Sequence, residues 1–322
     1  MTYSAGGLIQ ATDFNGFAST TSGANVNNIW STGSGDAGWG QTALSTVSAG
    51  GTVTATNWAS LVNTITSMGA QTGTTLTART APTAGNLIQA LAAINSDLIN
   101  ITANRLNAVA NGTQYTGWTG TNSKTAATSG ASWTITTTNT VTFASANAAR
   151  YFFNGGGRIK IDYSKTSTGD LGDPEWNDLA TTLCGDIYFT GGTGTATIAG
   201  TAYTGTTKIG GTGVPIVLAS TTGYYDLVPG AASTVIYKQF ADTAPYTNNY
   251  IQTSAQLDAT STVLTFTTTW AASDGDAISG GTAASGATPG TAPCTICTYF
   301  PPSTTYLTSA SWGTPTITAT TV

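Results

Sequence analysis

Histidine is absent from this chain of 322 residues. Its absence removes Ser-His-Asp and Cys-His catalysis, imidazole metal ligation and the usual general base near neutral pH. Charge is scarce too: Asp, Glu, Lys and Arg make up 7% of the residues, against about 25% in ordinary soluble domains. The nine Lys and Arg are spread thinly from Arg79 to Lys238, without a basic patch or stripe, and the net charge is −5. That distribution lacks the electrostatic footprint of a nucleic-acid binder. No apolar run approaches the ~18 residues of a membrane span. The opening Met1-Thr-Tyr-Ser-Ala-Gly-Gly-Leu8 has neither part of a signal peptide, so assembly in the cytoplasm is expected. Cysteine is limited to Cys184, Cys294 and Cys297, an odd count that does not describe a disulfide scaffold. Cys294 and Cys297 have C-x-x-C spacing but no βαβ context and no second pair for zinc, so buried or late-oxidising structural thiols are expected.

What is present is aromatic and small. Eight Trp, thirteen Tyr and nine Phe argue for folded cores rather than disorder. Thr, Ser, Gly, Ala and Asn fill the places that charges usually take. A Thr-rich surface favours strands, and few charges leave little to resist association, which suits burial in a larger assembly. The expected class is mainly β with an N-terminal helical pair and a β-sandwich or jelly-roll-like C-terminal region.

Along the chain, residues 1–50 read as an extended N-terminal arm carrying Phe14, Phe17, Trp30 and Trp39. Residues 51–110 read as a helical hairpin. Its first helix is capped by Thr54 or Thr56, carries Trp58, Leu61, Val62, Ile65 and Met68 at helical spacing, and stops at Gly69. The second spans 85–109 with Leu87, Ile88, Leu91, Ile94, Leu98 and Ile101 on one stripe, and ends by Gly112. The pair either packs on a partner chain or caps the β-region of its own. Residues 111–130 read as a linker and 131–322 as the β-domain. Short strands are expected at 133–137, 140–144, 185–189, 223–227, 234–240, 249–257 and 262–270, with a weak one near 202–209 and a short helix at 174–183. The last strand or extended tail covers 306–320. The run Tyr151-Phe-Phe-Asn-Gly-Gly-Gly-Arg-Ile159 is expected to be a hairpin: aromatic strand, glycine turn, then the alternating strand through Tyr163.

The one acidic cluster runs from Asp170 through Asp173 and Glu175 to Asp178, and Glu175 is the only Glu in the protein. Asp170, Asp173 and Glu175 are candidate calcium ligands or, less simply, a glycosidase pair. The simpler reading makes Asp173 an N-cap, Pro174 the first helical residue and Glu175 a partner of the helix dipole, with Asp178 facing solvent. Asp274-Gly-Asp276 reads as a turn. Among aromatics in Gly/Thr loops, Trp118, Tyr224 and Tyr225 are candidates for stacking on a glycan, together with Tyr115 and Tyr246; the plainer reading packs them onto sheets. No cofactor is implied.

Three ordered blocks resemble one family. The first is Gly38-Trp-Gly-Gln41, Val53-Thr-Ala-Thr-Asn-Trp58-Ala-Ser-Leu61 and Gln71-Thr-Gly73. The second is Tyr151 to Ile159, then Trp176-Asn-Asp-Leu179 and Gly185-Asp-Ile-Tyr188. The third is Tyr246-Thr-Asn-Asn-Tyr-Ile251 and Leu264-Thr-Phe-Thr-Thr-Thr-Trp270. Their order is similar to that of virion structural, tail-fibre-like proteins of tailed bacteriophages, common in cyanobacterial phages. Relatives tend to have His where Ala70 precedes Gln-Thr-Gly here. The resemblance implies a non-enzymatic tail-fibre, collar or tail-appendage subunit in the virion, bound to copies of itself and to other virion proteins. The alternatives are a capsid decoration or head fibre, or an adhesin for host surface glycan. It carries over no catalytic residue.

Overall fold

The computed structural model describes residues 10–19, 23–84, 91–119, 132–165, 173–192, 194–272, 278–279, 282–283 and 294–321. The helices are α1 (Ala11–Ala18), α2 (Val26–Ile29), α3 (Ala55–Thr72), α4 (Leu91–Ala103), α5 (Ala146–Asn154) and α6 (Asp173–Asp178), the last continued by a π-helical turn, Leu179–Leu183. The strands are β1 (Tyr115–Thr119), β2 (Trp133–Thr142), β3 (Arg158–Ser164), β4 (Asp186–Phe189), β5 (Ala196–Ile198), β6 (Thr201–Tyr203), β7 (Thr206–Ile209) and β8 (Val217–Leu218). They continue with β9 (Thr234–Phe240), β10 (Tyr250–Leu257), β11 (Val263–Ala272), β12 (Ile278–Ser279), β13 (Thr282–Ala283), β14 (Cys294–Phe300) and β15 (Thr316–Thr321).

Two antiparallel sheets dominate, in the orders β1-β14-β3-β4-β7 and β15-β2-β11-β10-β9-β8. The Thr/apolar strands β2 and β11 alternate: β2 buries Trp133, Ile135 and Val141, and β11 buries Leu264, Phe266 and Trp270. The inner faces meet. Tyr163 of β3 lies against Tyr237 and Trp270, Phe189 of β4 against Phe266, and Trp270 Nε1 donates to Thr295 of β14. The protein is therefore mainly β, with a β-sandwich-like region and N-terminal helices.

Several expectations change. The stretch expected as an extended arm holds α1 and α2, and Phe14, Phe17, Val26, Ile29 and Trp39 are buried in the same apolar cluster as the sheets. The apolar stripes of α3 and α4 enter that cluster too, so of the two readings of the helical pair, capping the β-region of its own chain is the one realised. Thr54 caps α3, accepting from Asn57 N at 3.2 Å. The helix runs past Gly69 to Gly73, whose φ of 68° suits a glycine C-cap. Gly69 is instead a contact point: a Cβ there would stand 2.6 Å from Leu76. The second helix is shorter than expected, its described part ending at Ala103, and Leu87 and Ile88 lie outside the described residues. Strand β1 lies within the expected linker and pairs with β14, a strand the sequence reading missed. The two strands expected at 133–144 are one, residues 223–227 form a 3₁₀ turn, and only 316–321 of the tail is strand.

The largest correction concerns Tyr151–Tyr163. It is helix, turn and strand, not a hairpin. Ser145 caps α5 by accepting from Ala148 N at 3.0 Å, and Ala146, Ala148 and Ala149 favour helix. Consecutive aromatics on a helix point in three directions, and here all three are covered. Phe152 meets Phe143 and Tyr299, Phe153 meets Phe189 and Tyr224, and Tyr151 lies under Gly40. Gly156, at φ 97°, makes the exit into β3, and a Cβ there would stand 2.7 Å from Ala108.

Candidate functional site

Side chains and backbone of the early and middle blocks converge on α5. Asn154 Nδ2 donates to the carbonyls of Asp36 (2.6 Å) and Gly38 (2.9 Å), and Gln71 Nε2 donates to Gly155 O at 3.1 Å. Arg150 donates to the carbonyls of Thr32, Gly35 and Ala37 and to Asn147 Oδ1. Gln41 extends the junction to the C-terminal segment, accepting from Thr308 N and donating to Ser311 Oγ. Residues that are far apart in sequence thus form one polar seam around a helix.

Beside that seam lies a cleft of about 420 Å³ lined by Asp36, Asn147, Arg150, Tyr224, Tyr225 and Pro229, among others. Two of the five glycan candidates, Tyr224 and Tyr225, sit there, but their groups are engaged within the chain. Tyr224 stacks on Phe153 with ring centroids 4.8 Å apart and donates to Ser261 O at 2.9 Å. Tyr225 donates to Asn154 Oδ1 (2.9 Å) and Arg150 O (3.2 Å). Burial, first of all, pushes the Tyr224 phenol up to about 12 and Tyr225 well above its ordinary range. The packing reading accounts for both. Tyr115 stacks on Tyr299 at 4.7 Å. Trp118 lies on β1 across from Cys297 in register, and its side chain lies outside the described residues.

Of the calcium candidates, Asp170 and the Asp173 side chain lie outside the described residues, as does Asp274-Gly-Asp276. Glu175 lies in the first turn of α6, where the helix-dipole reading places it. It is buried, 8% exposed, because it shares its turn of helix with Trp176, which packs on Trp133 and Trp270. One oxygen each from Glu175, Asp178 and Asp242 lie within 4.8 Å of one another. Glu175 and Asp178 are one helical turn apart and share a face, whereas Asp242 comes from the loop after β9. Burial first, then the Asp178 and Asp242 charges, raise the Glu175 carboxyl above its ordinary value against hydrogen bonds from Thr243 that lower it. Like charges at that spacing repel by on the order of 1–4 kcal/mol per pair between the limits of bulk water and an effective dielectric of ~20. Asp242 could not be found from sequence, because its partners lie more than sixty positions away.

The three cysteines are buried and none is in a disulfide. Cys294 and Cys297 are an odd number of positions apart on β14, which aims them to opposite faces of the sheet and prevents their pairing. Burial raises the Cys184 thiol to about 12 and the Cys297 thiol further. No helix among the described residues is long and apolar enough to cross a membrane. Searches against family models, curated proteins and solved structures find no match to this chain.

Proposed function

We propose that this protein is a non-enzymatic structural component of a bacteriophage virion, an oligomeric tail-fibre, collar or tail-appendage subunit. The observation that carries the reading is an unpartnered apolar row on a sheet edge. Val214, Ile216 and Leu218 are 87%, 66% and 38% exposed and alternate along one side of the extended segment that ends in β8, with Val228 exposed as well. The segment ends in the edge strand of the six-stranded sheet, so exposed apolar side chains and a strand edge are together open to a neighbouring subunit. Low charge works in the same direction. Helix surfaces use hydroxyls that bond back to their own carbonyls, as Thr64 does to Ser60 O and Thr102 to Leu98 O, instead of the Lys and Glu that keep monomers apart.

Mass spectrometry of purified particles is expected to find the protein in many copies. Its absence from mature virions would remove the proposal. Gold labelling of intact particles separates a tail or collar position from a capsid decoration. The adhesin alternative is the weaker one, since Tyr224 and Tyr225, the candidates beside the cleft, already stack and hydrogen-bond within the chain.

A further inference from the structure

We propose that Glu175, Asp178 and Asp242 form a calcium site that clamps α6 to the loop between β9 and β10. Two independent observations meet there. The first is the cluster itself, three carboxylates with an oxygen from each inside 4.8 Å. The second is that Glu175, 8% exposed, leaves Oε1 without a hydrogen-bond partner. A buried carboxylate oxygen with no donor is costly in a folded protein, and a cation is the ligand that satisfies it together with its two acidic neighbours.

The chemistry and the spacing select the ion. All three donors are hard oxygens, and a chain without histidine offers zinc no imidazole. Three points no more than 4.8 Å apart always have a common point within about 2.8 Å of each. Calcium takes oxygens at roughly 2.3–2.6 Å with variable geometry, so only a slight contraction is needed. Magnesium would demand ~2.1 Å and near-ideal octahedral order.

Both halves of the site are held in place by the fold. Trp176, packed between Trp133 and Trp270, fixes the helix that carries Glu175 and Asp178. The opposite loop is tied by Ala241 N to Asn249 O, Tyr246 N to Thr243 O and Asn249 N to Tyr246 O, each at 2.9 Å. The Thr243 hydroxyl lies 3.2 Å from Asp242 Oδ1 and also reaches Glu175, so its single proton is shared between the two carboxylates. Asp178 is half-buried and Asp242 exposed, which leaves an open side for the water ligands that complete a calcium shell. The inference does not depend on where the protein is used.

The test is calcium titration into the full-length protein after EDTA treatment, read by calorimetry and by thermal melting. One saturable site is expected, with a Kd of roughly 0.01–1 mM and a rise in Tm. Asp178→Asn and Asp242→Asn should each weaken binding at least tenfold, and Glu175→Gln likewise. Melting carries a second signature. In EDTA, Asp242→Asn relieves repulsion and melts at or above wild type; in calcium at about a hundred times the wild-type Kd, wild type gains more Tm than the variant does, because it binds the ion more tightly. Four outcomes overturn the site: no calcium-dependent heat or Tm shift, binding that survives all three substitutions, Asp242→Asn melting below wild type in both buffers, or magnesium reproducing the calcium effect at equal concentration.

Discussion

Single residues in this protein do work that their type alone does not announce. Asn139 sits in the middle of β2, 0% exposed, and neither its amide nitrogen nor its oxygen has a hydrogen-bond partner. From sequence it is one more polar residue in a Thr-rich strand; only its position between Phe266 and Ala319 in the sheet places it inside. An unsatisfied buried amide costs about 1–3 kcal/mol. Asn139→Leu, of similar shape and without polar atoms, is expected to raise stability by about 1–2 kcal/mol. A urea titration comparing midpoints checks this, and an unchanged or lower midpoint would count against it. Arg158 is a second buried polar group that is only partly met, with Nε and Nη1 lacking a hydrogen-bond partner. Its buried guanidinium lies over Phe300 at 4.5 Å and Tyr203 at 5.2 Å and donates to Asn111 Oδ1 at 2.7 Å. Its charge is met by ring faces in a chain with few acids to spare.

At the scale of elements, α5 shows how local signals compete. Three aromatics in a row before glycines read as strand and turn by β-propensity. Ser145 and three alanines started a helix instead, and the aromatic run survives in it because each of its three rings is covered by the chain. The period-2 pattern after the turn was legible, and β3 formed as expected. The β10–β11 turn gives a prediction with a sign. Burial works to raise the Asp258 carboxyl, but hydrogen bonds from Thr260, Val263 and Thr262 outweigh it and hold the group below its ordinary value of 3.8. A carboxyl lowered in the folded state contributes stability that is complete above the unfolded value and lost as pH falls through the folded one. The turn is therefore expected to loosen below about pH 3.8, and Asp258→Asn to lose that acid dependence. Amide exchange of Thr262 and Val263 across pH 2–6 measures it; equal profiles for both proteins would contradict it.

For the whole molecule, two sheets and the N-terminal helices share one apolar cluster, so the helices act as a cover for the sandwich. The sheet edges then decide how molecules meet. A Val214→Ser, Ile216→Asp double variant removes the exposed row while leaving the inward bond of Ile216 N to Lys238 O intact. It is expected to fold with an unchanged melt and to lose at least tenfold in self-association or incorporation, read by light scattering and by particle composition. Association at wild-type strength would place the interface elsewhere.

Sequence alone was enough for the mainly β class, the helix α3 with a cap at Thr54 or Thr56, the strands β3, β4, β9, β10 and β11, and the exclusion of imidazole chemistry. These follow from periodicity, capping and composition, which act over a few residues. Tertiary structure decided what depends on distant partners: the helical fate of Tyr151–Phe153, the strand β1 that needs β14 to exist, the burial of the N-terminal aromatics, and the meeting of Glu175 and Asp178 with Asp242. Each of those is fixed by which surfaces the chain can cover once folded, a quantity that no local pattern carries.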